Sequence, residues 1–226
     1  RRAALGIIRL IFENGLRLSL REVFRDVCRG YGKTVSNLQT VLDDRSKAGV
    51  LERTLLDFFS DRLKVYLRER GIRHDHIEAV FLLGDEDDLV RLLARVNALS
   101  DFLATDDGAN LLAAYKRAAN LVNIEEKKDG TSYDGEVIAS QLTHEGEISL
   151  VRQLSTTAKR AYAAINDERY VDAMKSMSTL RAPVDLFFED VNVNSDDPKI
   201  RENRLRLLSQ FRSILSGIAD FSRLES

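Results

Sequence analysis

The stretch DVNVNSDDPKIRE, which begins at residue 190, carries side-chain oxygens with the spacing of a calcium-binding loop. Asp190, Asn192 and Asn194 occupy positions one, three and five of such a loop. The loop also needs glycine at position six for its turn and a bidentate glutamate at position twelve. These two positions hold Ser195 and Arg201. Because a guanidinium cannot ligate a cation, the pattern argues against calcium, and we predict no metal site here.

A second candidate for chemistry is His74-Asp75-His76, which suggests a phosphohydrolase of the HD type. Such an enzyme needs further His and Asp ligands, and the only other histidine is His144. We interpret the group as the polar start of a helix. The sequence contains no glycine-rich phosphate loop, serine elbow or Cys/His cluster. We therefore expect no catalytic residues in this chain.

Positive charge is a local feature, because the chain has 34 Lys plus Arg against 36 Asp plus Glu. A first basic cluster lies in residues 61–73, and a second follows Pro198 in the last predicted helix. Such clusters are candidate binding sites for the phosphates of RNA. The candidates in the two clusters are Arg62, Lys64, Arg68, Arg201, Arg204 and Arg206.

The third cluster lies in LLAAYKRAANL and is arranged on one helix face. Asn120 is four residues from Lys116 and three from Arg117, so all three side chains are neighbours. Cations suit phosphates and an amide suits a base edge, which indicates an RNA-binding face. A solvated helix face is the alternative. The predicted buried stripe of the same helix is Leu111, Ala114, Tyr115, Ala118 and Val122.

Arg204 is unusual because it falls inside the apolar stripe of the last helix. It could act as a clamp on a carboxylate of the preceding segment, or it could reach a phosphate at the mouth of a groove. The sequence leaves both open. The possible carboxylates are Asp185, Glu189 and Asp190, and the stripe is Ile200, Leu207, Leu208, Phe211, Ile214, Leu215 and Ile218.

These candidate residues are all expected to lie on or between helices. Two prolines, no tryptophan and abundant Leu, Ala and Arg favour helix nearly everywhere, so we predict an all-α bundle of antiparallel helices. We expect an N-cap at Ser19, with Glu22 completing a capping box, and another at Asp197 before Pro198. The charged segment 125–136 is predicted to be an exposed loop. The predicted helices are 2–14, 20–30, 35–47, 50–70, 74–83, 86–104, 108–126, 146–165, 168–180, 183–190 and 198–220.

The single cysteine and the lengths of the apolar runs indicate the redox compartment and the absence of a membrane span in this sequence. Cys28 excludes an internal disulfide framework and suits a reducing cytoplasm, and its helical context predicts a core position. No apolar run approaches the ~18 residues of a membrane span. The chain begins within an apolar-periodic helix, so we expect it to continue from a missing upstream domain.

The end of the chain, APVDLFFEDVNVNSDDPKIRENRLRLLSQFRSILSGIADFS, resembles the DALR-type anticodon-binding domain of aminoacyl-tRNA synthetases. The stretch NVNS is more polar than the connector expected in that family. DFLATDDGANLLAAYKRAANLV and DFFSDRLKVYLRERGIRHDHIEAV resemble the beta-subunit family of the bacterial heterotetrameric glycyl-tRNA synthetases, over essentially the whole chain. The positions that match the DALR pattern are Phe187, Phe188, Val191, Val193, Asp197, Arg201, Arg204 and Leu205.

The resemblance implies a helical body segment over 1–104 and a DALR-type domain over 105–226. The chain would be the C-terminal part of a beta subunit, within a class II complex of two alpha and two beta subunits. It would dock the anticodon arm of glycine tRNA, while the alpha subunit uses ATP and Mg²⁺; this chain itself would hold no cofactor. Neither DNA nor a membrane is an expected partner. The competing hypothesis is a non-catalytic helical scaffold for subunit assembly.

Overall fold

The computed structural model describes residues 2–32, 34–84 and 86–225, and over these residues it contains helices and no strand. The all-α prediction is therefore confirmed. Short 3₁₀ turns occur at Ala139–Gln141 and Phe221–Arg223. The α-helices are α1 (Arg2–Glu13), α2 (Leu20–Gly32), α3 (Ser36–Asp43), α4 (Arg45–Glu69), α5 (His74–Phe81), α6 (Leu89–Leu103), α7 (Asp106–Asp129), α8 (Glu145–Asn166), α9 (Tyr170–Ser178), α10 (Arg181–Asp190) and α11 (Pro198–Ser216). Among the described helices, none combines the length and the apolar character that a membrane span requires.

The helix starts follow local capping chemistry. Asp197 accepts hydrogen bonds from the backbone N–H groups of Lys199 (2.8 Å) and Ile200 (3.3 Å), which confirms the predicted cap of α11. Ser19 accepts from the backbone N–H of Glu22 at 3.2 Å, as expected for the cap of α2. The break between α3 and α4 lies at Asp44, earlier than predicted. The reason is that the Asp44 carboxylate accepts from the N–H groups of residues 46 and 47 and so starts a new helix.

The prediction of an exposed loop over 125–136 was wrong in its first part. α7 continues to Asp129 and ends at Gly130, whose φ of 65° is the left-handed conformation that favours glycine. Glu125 is buried, and Tyr133 beyond the helix end is also buried. The charged composition suggested exposure, but Glu125 is buried because it pairs with Arg201, a residue far away in the sequence.

The chain divides into two compact units. Unit 1 comprises residues 1–77 and 84–94, and unit 2 comprises residues 78–83 and 95–226. Helices α5 and α6 therefore contribute residues to both units. The domain boundary predicted between residues 104 and 105 falls inside unit 2, between α6 and α7, and stays a prediction.

The core of unit 1 forms where α1 and α2 pack on α4, with α3 against α2 and α4. Ile8 of α1 and Leu63 and Leu67 of α4 are fully buried. The rings of Phe12 and Tyr66 stack with centroids 5.4 Å apart. Tyr66, which the sequence places among cations, is therefore part of this core.

The core of unit 2 is built around α8, which packs against α9, α10 and α11, while α7 packs against α10 and α11. The predicted stripe of α7 is buried, which confirms its orientation. In the stripe of α11, Ile200 and Ile214 are half-buried, and the other predicted members are buried. The largest fully buried side chains of unit 2 are Leu99, Leu111, Leu150, Met174, Met177, Phe187, Phe211 and Phe221.

Candidate nucleic-acid interface

Arg204 is a buried structural clamp. Its Nε lies 2.6 Å from Oε1 of Glu147, and its Nη1 donates to the carbonyl of Asn192 at 2.7 Å. Its Nη2 donates to the hydroxyl of Thr143 at 3.2 Å. The clamp hypothesis is confirmed, but the predicted partners were wrong. The carboxylate that pairs with Arg204 is that of Glu147 on α8, and not one of the three predicted carboxylates of α10.

The environment of Glu147 explains why this pair tolerates burial. Its carboxylate also accepts from the backbone N–H groups of Thr143 (2.6 Å) and His144 (2.8 Å). Burial raises the pKa of Glu147, but Arg204 and these N–H groups together hold it below its ordinary value. The side chain of Arg204 is only 5% exposed, so its guanidinium is not presented to a phosphate in solution.

Arg201 is held in a similar way at the junction of α7 and α11. It forms ion pairs with Glu125 and with Asp129, the latter at 2.7 Å, and it donates to the Tyr133 hydroxyl at 3.3 Å. Its Nε donates to Oδ1 of Asn194 at 3.3 Å. Hydrogen bonds from Tyr133 and Arg201 lower the pKa of Asp129, and Arg201 lowers the pKa of Glu125. The guanidinium is thus engaged with groups of the protein itself.

The stretch that resembles a calcium loop serves as the connector between these two clamps. Asp190 accepts from the backbone N–H of Gly146 at 3.4 Å. The carbonyl of Asn192 accepts from Arg204, and the side chain of Asn194 accepts from Arg201. The side-chain oxygens at loop positions one and five, and the backbone carbonyl at position three, therefore accept hydrogen bonds from the protein.

The remaining arginines of α11 are also neutralised. Arg206 pairs with Glu202 one turn earlier and donates to the carbonyl of Glu136 at 3.3 Å. Arg212 lies 3.2 Å from Glu126 and donates to the side chain of Asn123 at 2.8 Å. Neutralised cations attract phosphate weakly, so this side of unit 2 is a poor candidate for RNA binding.

The predicted face on α7 has a different character. Arg117 is exposed, and its Cζ lies 4.0 Å from the centroid of the Phe188 ring on α10. Asn120 is exposed and Lys116 is half-buried. A guanidinium stacked on a ring keeps its N–H donors in the plane of the guanidinium and can still bind a phosphate. Phe188 therefore holds Arg117 in place without neutralising its charge.

The cluster predicted in unit 1 is not one surface. At about 100° per residue, Arg62 lies on a different side of α4 from Lys64 and Arg68. Arg62 is half-buried against Phe58, with its Cζ 5.2 Å from the ring centroid, and Arg68 donates to the carbonyl of Lys64 at 3.3 Å. These residues stay candidates, although the structure does not bring the three together.

The other sequence candidates have structural partners. Asp75 pairs with Arg73 at 2.7 Å at the start of α5, as expected for a polar helix start. Burial lowers the pKa of His76. Across residues 2–32, 34–84 and 86–225, no group of three or more His, Cys, Asp or Glu side chains could hold a metal ion. Cys28 is half-buried, less than its predicted core position implies.

Sequence reasoning missed Glu147 and Tyr133, the two residues that complete the clamps. Glu147 follows His144 by three residues, which is the spacing of a capping box and could have marked it as a helix-start carboxylate. Tyr133 donates to Asp129 only four residues earlier, but its contact with Arg201 is not visible in the local sequence because the two residues are 68 positions apart.

Residues 1–82 match a family model described as glycyl-tRNA synthetase beta subunit, and residues 111–221 match the DALR anticodon binding domain. The glycine–tRNA ligase beta subunit of Rhodospirillum centenum is 51% identical over 226 residues, which is 100% of this chain and 30% of that protein. Those of Ruegeria sp. and Phenylobacterium zucineum are 42% and 45% identical, over 100% and 99% of this chain and 30% and 29% of theirs. The chain thus spans about 30% of the length of these relatives.

Proposed function

The chain belongs to the glycyl-tRNA synthetase beta subunit family, and we propose that its unit 2 binds the anticodon arm of glycine tRNA. The observation that carries the proposal is the DALR match over residues 111–221, which begins within α7 and includes α8 to α11 of unit 2. We propose that glycine activation with ATP and Mg²⁺ belongs to the alpha subunit, in a complex of two alpha and two beta subunits. Within that complex this part of the chain acts by binding and positioning RNA.

The proposed RNA-binding surface on α7 is the face of Lys116, Arg117 and Asn120. The two cations would bind backbone phosphates and set the register, and Asn120 would hydrogen-bond a base edge. The position of Arg117 supports this assignment, because Phe188 fixes its guanidinium and no carboxylate within the described residues pairs with it. A fixed cation loses less conformational freedom when it binds a phosphate than a mobile one does.

A scaffold for subunit assembly is the second candidate function, and it concerns unit 1. Val23, Val27 and Tyr31 lie at intervals of four residues along α2, so they form one stripe. Their exposed fractions are 39%, 50% and 61%. An exposed apolar stripe of this kind suits a protein partner more than an RNA partner.

Salt-titrated binding of glycine tRNA, with an anticodon-mutated tRNA as a comparison, separates the two functions. If unit 2 binds RNA, Lys116→Ala or Arg117→Ala weakens binding of both tRNAs. Each also reduces the slope of log affinity against log salt by roughly 0.7 to 0.9 for every phosphate that the variant no longer binds.

Arg169→Ala is the matched control, because Arg169 is exposed but already pairs with Asp167 and Asp172. This variant should keep the affinity and the slope of the unchanged protein. If the unchanged chain shows no salt-dependent tRNA binding, the scaffold function is favoured. If it binds but both α7 variants bind equally well in folded form, the RNA-binding surface lies elsewhere on the chain.

A further inference from the structure

Helix α8 contains an unusual run of sequence. From Ile148 to Asn166 it carries no Asp or Glu, although the whole chain has 36 acidic residues among 226. The same run contains Arg152, Lys159 and Arg160. It is a local concentration of positive charge inside a chain whose net charge is −2.

These three cations are not neutralised by the protein. All three are exposed, and within the described residues none has an ion pair or a ring contact. Arg152 and Arg160 differ in this respect from every other arginine of unit 2. The arginines that contact a ring are Arg95 and Arg117, and those that pair with a carboxylate are Arg169, Arg181, Arg201, Arg204, Arg206, Arg212 and Arg223.

Helix geometry places the cations beside an exposed tyrosine. At about 100° per residue, Arg152, Lys159 and Tyr162 fall within about 80° of the helix circumference, and Arg160 lies about 80° from Arg152 on the side away from Tyr162. Arg152 and Lys159 are two turns apart, about 10 Å along the axis. The opposite side of α8 packs into the core through Leu150, Leu154, Ala161 and Ala164, so this face points away from the bundle.

Tyr162 is both positioned and accessible. Its side is packed against the end of α11, where a Cβ added to Gly217 would lie 3.2 Å from Cε1 of the ring. Gly217 has a φ of −68°, a right-handed conformation open to any residue, so the backbone does not require glycine there. The missing side chain leaves room for the ring instead. Tyr162 nevertheless stays 48% exposed.

We propose that Arg152, Lys159, Arg160 and Tyr162 form a second RNA-binding surface, on α8, that binds unpaired nucleotides. The cations bind successive backbone phosphates, and Tyr162 stacks on a splayed base. A duplex would use the cations but not the ring, whereas single-stranded RNA uses both, which is why unpaired nucleotides fit best. The inference rests on the proposed function, because the nucleotides would belong to a loop of the tRNA.

The test of the cations is a triple variant, Arg152→Gln, Lys159→Gln and Arg160→Gln, in the 226-residue chain. Binding of glycine tRNA is measured by fluorescence anisotropy between about 0.05 and 0.3 M salt. We expect the Kd to rise on the order of tenfold or more. The salt slope should fall by roughly 2, since each bound phosphate of a single strand contributes about 0.7 to it.

The matched control removes the same amount of charge from arginines that are already paired. Arg169→Gln, Arg181→Gln and Arg223→Gln together change the net charge equally, but each of these residues has a carboxylate neighbour. We expect the control Kd to stay within roughly twofold of the unchanged protein, because paired surface cations contribute little. Circular dichroism and thermal melting establish that both triple variants are folded.

The test of the ring compares Tyr162→Ala with Tyr162→Phe. Loss of one base–aromatic stack should raise the Kd about fivefold or more for the alanine variant, with the salt slope unchanged. Phenylalanine keeps the stacking surface and should bind like the unchanged protein. Binding to an unpaired oligoribonucleotide and to a duplex of the same length is measured in parallel, and the alanine variant should lose affinity for the unpaired form.

Each contrary outcome has a distinct meaning. If the chain binds tRNA but the α8 triple variant matches the control, the α8 surface is overturned and the proposed function stands. If the triple variant loses affinity but Tyr162→Ala does not, the assignment to unpaired nucleotides is overturned. If the unchanged chain does not bind tRNA at all, both the proposed function and this inference are overturned.

Discussion

Unit 2 uses the same residue types in two opposite ways. The inner arginines, Arg201, Arg204, Arg206 and Arg212 of α11, all pair with carboxylates of the protein. The outer cations, Arg117 on α7 and Arg152, Lys159 and Arg160 on α8, have no carboxylate partner among the described residues. A count of basic residues therefore does not separate cations that the protein has already paired from cations that have no carboxylate partner. What matters is whether the protein has already neutralised the charge.

The two groups also differ in what their removal should cost. A buried carboxylate that loses its guanidinium leaves an uncompensated charge in the core, whereas an exposed cation stays hydrated when it has no partner. The inner arginines whose carboxylate partners are buried, Arg201 and Arg204, should therefore govern stability, and the outer cations should govern binding. Substitutions in each group test this difference, beginning with the one that should lower stability most.

Arg204→Ala should have the largest effect, a loss of about 3–5 kcal/mol in the free energy of unfolding. The reason is that Glu147, which is 1% exposed, would stay buried without its cation. Urea unfolding followed by circular dichroism measures the change. Arg206→Ala is the control, because its i,i+4 partner Glu202 is 48% exposed, and it should cost no more than about 1 kcal/mol. Equal losses in the two variants would show that burial of the partner carboxylate does not determine the loss of stability.

Acid should reduce the stability that the Arg204–Glu147 pair contributes, and this loss should be smaller than that caused by Arg204→Ala. The pKa of Glu147 is held below its ordinary value of 4.5 in the folded chain. A carboxylate with a lowered folded pKa stabilises the fold above its unfolded pKa, and this contribution is lost as the pH falls through the folded pKa. Urea midpoints of the unchanged chain should therefore fall as the pH is lowered below about 4.5.

Glu147→Gln isolates this contribution, because it cannot ionise. The variant should be less stable than the unchanged chain at neutral pH, and the gap should narrow in acid as Glu147 becomes protonated. A gap that stays constant down to about pH 3 would show that the ionised clamp does not carry this stability.

The sequence predicted features that lie within one helix better than contacts between residues that are distant along the chain. Helices were predicted closely because apolar spacing repeats within each element. The shared face of Lys116, Arg117 and Asn120 on α7 could be proposed because these residues are three and four positions apart. The carboxylate partners in the clamps were missed because Arg204 and Glu147 are 57 positions apart and Arg201 and Glu125 are 76 apart. Periodicity within one helix carries no information about such pairs. The α8 surface could have been found from the sequence, since its acid-free run is visible there.

Asn120→Ala should have the smallest effect on the protein and the most selective effect on binding. Its side chain is exposed on α7, so the fold should be unchanged. If Asn120 reads a base edge, its loss costs on the order of 1–3 kcal/mol for the cognate loop, by analogy with base readout in DNA. The affinity for an anticodon-mutated tRNA should change little, and the salt slope should stay constant because an amide that reads a base neutralises no phosphate.

Asn123→Ala is the matched control on the same helix, because the Asn123 amide oxygen already accepts from Arg212 at 2.8 Å. It should leave discrimination between the two tRNAs unchanged. Equal weakening of both tRNAs by Asn120→Ala would mean that Asn120 binds the RNA backbone. The outer face of α7 would then position the tRNA without reading it, and base recognition would rest on another surface.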